Sequence, residues 1–163
     1  MTPEQELVRI DKQEAQLRFD YFNAHTAWEL GMIVKSLAES KAVALAIEIR
    51  IGENLLFYYA MPGTTPDNAN WIRRKSNLVS HFQCSSYKTT LKFEQANTQM
   101  EQKFGLSYLD YMPAGGSFPI VVTNTGCVGA LTVSGSTGRQ DHCLVVEALT
   151  TYLHKNQEDL ALD

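Results

Sequence analysis

The sequence predicts an α+β domain in which one antiparallel sheet, built from two hairpins, is covered by helices. Three observations carry this. Apolar residues recur at helical spacing over residues 23–40 and 137–155; two pairs of apolar runs lie at 43–60 and 117–134, each pair divided by a turn; and the segments follow in the order helices, hairpin, helices, hairpin, helix. Strands that come in adjacent pairs, rather than alternating singly with helices, give an antiparallel sheet. No linker, repeat or low-complexity segment interrupts the 163 residues, so a single domain over 1–163 is expected, long enough to bury a core without staples.

Leu7, Ile10 and Leu17, set among Glu, Gln, Asp and Arg, make a loosely amphipathic first helix. Asn23 suits an N-cap because its side-chain oxygen can accept from the free amides of a first turn. Ala27, Leu30, Val34 and Leu37 then form one stripe to about Ser40. Residues 43–50 and 55–60 pair as a hairpin about Gly52. After a Pro- and Gly-bearing loop, Asp67 is placed to cap a third helix of about 68–84, on which Trp71, Lys75, Leu78 and Phe82 share a face. One further helix is expected from Leu91 to Phe104, closed by Gly105. Strands follow at about 117–123 and 127–134. The last helix runs from about Thr137 to Lys155 and buries Leu144, Val145, Ala148, Leu149 and Tyr152.

Composition narrows the partners. A formal charge of -4, with Arg73-Arg74-Lys75 as the only tight basic run, argues against nucleic acid, which needs a clustered basic face. Cys84, Cys127 and Cys143 are odd in number and form no CxxC pair, which fits reduced thiols. No apolar signal core stands near the N-terminus, and no apolar run approaches the ~20 residues that span a membrane, so a cytoplasmic protein without a membrane partner is expected.

The chemistry-bearing residues concentrate around two segments. Gly115-Gly116-Ser117-Phe118-Pro119 opens one strand, and Ser134-Gly135-Ser136-Thr137-Gly138 joins another to a helix whose first turn carries Asp141 and His142. Thr137 and Gln140 match a capping box. The turn before them could hold a carboxylate or phosphate on its amides, or simply connect strand to helix; it is neither GxxxxGK[ST] nor GxGxxG, so a nucleotide is unsupported. Gly135 is expected to need positive φ or a close backbone approach. Lys75 stands on an apolar helix face. Either its stem covers the core while the ammonium reaches water, in which case Met could replace it, or it points into a pocket toward an acidic group. His81 and Cys84 have metal-like spacing without the further ligands a metal needs, so no metal is expected. No nucleophile elbow or acidic pair stands out.

These residues carry a resemblance. Gly115 to Ile120, Gly126, Gly129, Val133-Ser134-Gly135 and Asp141-His142, with Ala27-Trp28-Glu29-Leu30-Gly31, Trp71-Ile72-Arg73-Arg74-Lys75 and Ser85-Ser86, are similar to the haem-degrading-domain (HbpS-like) family over about residues 20–155. The match is nearest to its small cytoplasmic branch. The resemblance implies a profilin-like fold, with a central antiparallel sheet flanked by helices, and assembly into homo-oligomers. The apolar strands, too apolar for a sheet open on one side, point to assembly as well. Three functions are then expected in order. The first is a homo-oligomeric binder of a small acidic molecule at Lys75, Arg73, Gly115, Gly116, Ser134, Gly135, Asp141 and His142. The second is haem binding or breakdown, with His142 or His81 as axial ligand and Arg73 or Lys75 at the propionates. The third is an interaction module without a ligand.

Overall fold

The computed structural model describes residues 1–162. In chain order these form α1 (Pro3–Gln16), α2 (Ala24–Ser40), β1 (Ala46–Ile51), β2 (Asn54–Ala60), α3 (Pro66–Phe82), α4 (Ser86–Gln95), α5 (Met100–Phe104), β3 (Ser117–Val122), β4 (Gly126–Ser134), α6 (Gly138–Tyr152) and α7 (Gln157–Leu160). The strands make one antiparallel sheet in the order β2-β1-β4-β3, the two hairpins meeting where β1 pairs with β4.

Alternation along the strands sorts side chains to two faces. Ile47, Ile49, Phe57, Phe118, Ile120, Leu131 and Val133 form one cluster with Leu30 and Val34 of α2 and Val145 and Leu149 of α6. The opposite face receives α3, whose Ile72, Leu78 and Val79 are buried outside that cluster. Helices therefore cover both faces. The apolar strands are accounted for within one chain, and the expectation that their composition demands a second copy loses that ground.

Local signals explain most boundaries. Asn23 Oδ1 accepts from the amides of His25 and Thr26, both at 3.0 Å, as an N-cap should. Thr137 and Gln140 make the expected capping box at α6. Three expectations need correction. α3 begins at Pro66 with Thr65 at its N-cap, and Asp67 lies inside the first turn, where its carboxylate accepts from Trp71 Nε1 at 3.1 Å. The expected helix from Leu91 to Phe104 is two helices: α4 starts earlier, at an N-cap made by Ser85, and ends before Asn97, whose φ of 45° breaks the helical path. The last long helix stops at Tyr152, and His154 takes φ 52° before α7.

α1 and α7 close over one end of α6 by polar contacts. Arg9 donates to the carbonyls of Glu158 and Asp159, and Gln13 Nε2 donates to Leu160 O at 2.6 Å. Glu6, almost fully buried, accepts from Tyr87 Oη and Arg139 Nε, both at 2.7 Å.

Candidate functional site

The carboxyl end of β4 delivers the chain into α6 through Gly135 and Ser136, and the loop before β3 comes alongside. A Cβ at Gly115 would lie 2.2 Å from Gly138 O, and one at Gly135 would lie 2.1 Å from Ala44 O, so both positions exclude any side chain. Gly135 thus meets its sequence expectation by close approach, without positive φ. Gly116 has φ 115°, a region glycine alone enters readily.

Beneath these glycines Lys75 is sealed in. Its Nζ donates to Gly115 O at 3.0 Å, Val133 O at 2.6 Å and Asp141 Oδ2 at 3.1 Å. Three protons meet three acceptors, so the ammonium neither reaches water nor remains free for a ligand. The other carboxylate oxygen of Asp141 accepts from the Ser136 amide at 3.0 Å. Burial pulls Lys75 below and Asp141 above their ordinary pKa values, and their mutual attraction opposes both shifts. The pair ties α3, the 115–116 loop, β4 and α6 at one point.

Above the pair opens a cavity of about 380 Å³. Lys75, Gly115, Ser134, Gly135 and Asp141 line it, so five of the eight residues singled out in the sequence are together. Gly116 lies behind Lys75, where its Cβ would stand 2.6 Å from Nζ. Arg73 faces away and pairs with Asp110 at 2.9 Å and Leu109 O at 2.7 Å. His142 points to the far side of α6. Ser136 and Gly138, from the turn the sequence offered to an anion, also line it, and the sequence reading missed Asp67, Asn68, Trp71 and Ala114, which complete the lining. The Thr-Pro-Asp-Asn start of α3 was a helix signal, but only the fold shows that it opens beside the start of α6. Asn68 Nδ2 donates to Ser134 O at 3.2 Å and holds the two starts together. A second cavity, of about 370 Å³, lies across the Ser136–Asp141 segment and is lined by Lys41, Val43, Leu45, Cys143 and Leu144 among others.

His142 is fully buried. Gln13 spends its amide on Leu160 O, so its Oε1 accepts from His142 Nε2 at 2.9 Å, and the ring lies between Tyr87 and Phe118. Burial, assisted by the charge of Arg139, lowers its pKa to about 3. Nδ1 has no hydrogen-bond partner among the described residues. His81 lies exposed at the end of α3 against Phe82 and Tyr111. Neither histidine lines the cavity over Lys75. The donor set facing that cavity therefore does not fit haem: it offers hydroxyl, amide and carboxylate groups and no imidazole, thiolate or thioether. Among the described residues no three His, Cys, Asp or Glu side chains converge as a metal site requires, and no helix is long and apolar enough to cross a membrane.

A four-stranded antiparallel sheet between helices, with a polar cavity where β4 enters α6, defines a protein of the profilin-like α+β class. The chain belongs to the haem degrading protein HbpS-like family, whose sequence profile matches residues 22–150. It is 46% identical to a UPF0303 protein of Serratia proteamaculans over 94% of this chain and 95% of that one. A UPF0303 protein of Rhizobium leguminosarum is 48% identical over all of this chain and 98% of its own. Among solved structures, the Ybr137w protein superposes with a TM-score of 0.84 at 24% identity, covering 91% of this chain and 87% of that one. The PduOC:heme complex superposes with a TM-score of 0.66 at 14% identity, covering 79% and 93%. At these identities the structural likenesses show the fold alone.

Proposed function

We propose that this protein is a homo-oligomeric binder of a small molecule carrying an acidic group, seated in the cavity above Lys75. One observation carries the reading: the starts of α3 and α6 open into the same cavity, at Asp67-Asn68 and at Ser136-Gly138. A helix start carries partial positive charge, which favours an anion. Lys75 and Asp141 cancel each other beneath it and shape the floor. Trp71 supplies an apolar wall, with Arg74 stacked on its ring 4.5 Å from the centroid. Asp67 is occupied by the Trp71 indole, so the acid group belongs at the α6 end. A volume of about 380 Å³ falls in the lower part of the range for small-molecule sites, roughly 300–1,000 Å³.

Thermal shifts with millimolar malonate, citrate, phosphate and pyruvate, and with micromolar haemin, test this reading. A ligand at about 100 times its Kd adds about 2.7 kcal/mol to stability, a shift of several degrees. At least one small acid should stabilise the parent, and Trp71→Ala should remove that shift while the protein stays folded. Flat curves across the acids, or equal shifts in parent and variant, reject the cavity. A shift and a Soret band with haemin alone would move the function to haem at another surface.

A further inference from the structure

The two edges of the sheet are treated differently. The β3 edge is covered, because Phe19 N donates to Val121 O at 2.9 Å and Thr123 N to Phe19 O at 2.8 Å. β2 pairs with β1 alone and its other side is open. Met61 N donates to Leu45 O, which makes Ile47–Tyr59 and Ile49–Phe57 the bonded pairs of the hairpin. Alternation then turns the amides and carbonyls of Tyr58 and Ala60 outward. A register shift opposite Ile49 and Arg50 leaves Leu56 unpaired and bends the hairpin tip, so that residues 57–60 are the regular open run.

Natural edges are blunted by lysine, proline or charge. Residues 54–60, Asn-Leu-Leu-Phe-Tyr-Tyr-Ala, carry none of these. Both sides of the edge are apolar and open: Leu55 is 50% exposed, Tyr58 43%, and Trp28 of α2, whose ring stands 5.9 Å from that of Phe57, is 60% exposed.

We propose that the β2 edge pairs with the β2 edge of a second copy, antiparallel about a two-fold axis through Tyr58, so that two four-stranded sheets run on as one. The inference rests on the homo-oligomer reading above and gives it a surface. A second copy fits because the run is self-complementary. Two-fold antiparallel pairing sets Tyr58 against the partner's Tyr58. The two outward amides at the axis then meet the two outward carbonyls of Tyr58, and an uncharged strand brings no like charges together. The apolar rims around Trp28 and Leu55 close over the seam.

Mass measurement by light scattering at micromolar concentration tests it with Tyr58→Glu, Tyr58→Lys and Trp28→Glu. The parent should be a dimer or a multiple of one, and each variant should fall to at most half the parent mass with its circular dichroism kept. An equimolar mixture of Tyr58→Glu and Tyr58→Lys should regain the lost mass, since opposite charges then face each other at the axis. Trp28→Glu changes a helix surface outside the strand, so it reads the same seam even if a Tyr58 variant folds poorly. A monomeric parent overturns the oligomer reading and this surface together. An oligomeric parent whose Trp28→Glu and Tyr58→Lys variants keep its mass overturns this surface alone. Variants that dissociate and do not reassemble on mixing overturn the two-fold register.

Discussion

Lys75 Nζ and Asp141 Oδ2 lie 3.1 Å apart, with side chains 3% and 2% exposed, and they join segments separated by 66 residues of sequence. Desolvating two charges is costly, so such a pair adds little net stability; removing one partner is a different matter, because the other charge is stranded. Lys75→Met, which a solvent-reaching lysine would tolerate, should destabilise the fold by about 3–5 kcal/mol. Adding Asp141→Leu to it should recover a good part of that loss, as denaturant unfolding of the single and double variants would reveal. Additive losses would mean that the pair is not coupled.

His142 sets a pH dependence whose sign follows from its burial. In the unfolded chain it takes up a proton near its ordinary pKa of 6.5, in the folded protein only near 3. Between these values the unfolded chain holds more protons. This contribution is therefore full above pH 6.5 and is lost as pH falls towards 3, at up to about 1.4 kcal/mol per pH unit. Urea unfolding of parent and His142→Phe from pH 4 to 8 should give a shallower acid limb in the variant. Parallel limbs would show that the imidazole charges freely in the native state.

Gly135 tolerates no Cβ because Ala44 O stands where one would be. Gly135→Val should cost about 1–3 kcal/mol by forcing apart the start of β1 and the end of β4. An unchanged melting temperature would mean that the two backbones separate without strain.

Trp71 and Trp28 are the only tryptophans, and only Trp71 lines the cavity. In a Trp28→Phe variant, fluorescence reports the cavity alone. Titration with the acid that gives the largest thermal shift should change the emission, with a midpoint equal to the calorimetric Kd. Emission that stays constant while calorimetry registers binding would move the ligand elsewhere.

Features decided by neighbours in sequence were legible before the fold was known. Asn23, the Thr137–Gln140 box and both hairpins each act within a few residues of themselves, whereas the obstacle at Gly135, Ala44 O, comes from a distant strand start. The break at Asn97 was not, because the polar run from Leu91 to Phe104 has no strong period to lose. The site was half legible. Gly115, Ser134 and Asp141 could be found by their turn chemistry, whereas Trp71 and Asn68 enter the cavity only because α3 crosses β4. Glu6 and Gln13 were invisible: in sequence they belong to a solvated helix face, and their partners are far along the chain, Tyr87 and Arg139 for Glu6, His142 and Leu160 for Gln13.

The profile shared with relatives begins at residue 22, after α1. A version cut at that boundary for crystallisation or screening would lose Glu6 and Gln13 together. Tyr87 would then lack its carboxylate acceptor, Arg139 would lose one of its anchors, and the Nε2 of His142 would open to solvent. Such a shortened protein would titrate, react and bind metal ions through an imidazole that the whole chain keeps hidden, and a positive result in a haemin or nickel screen on it would describe the cut.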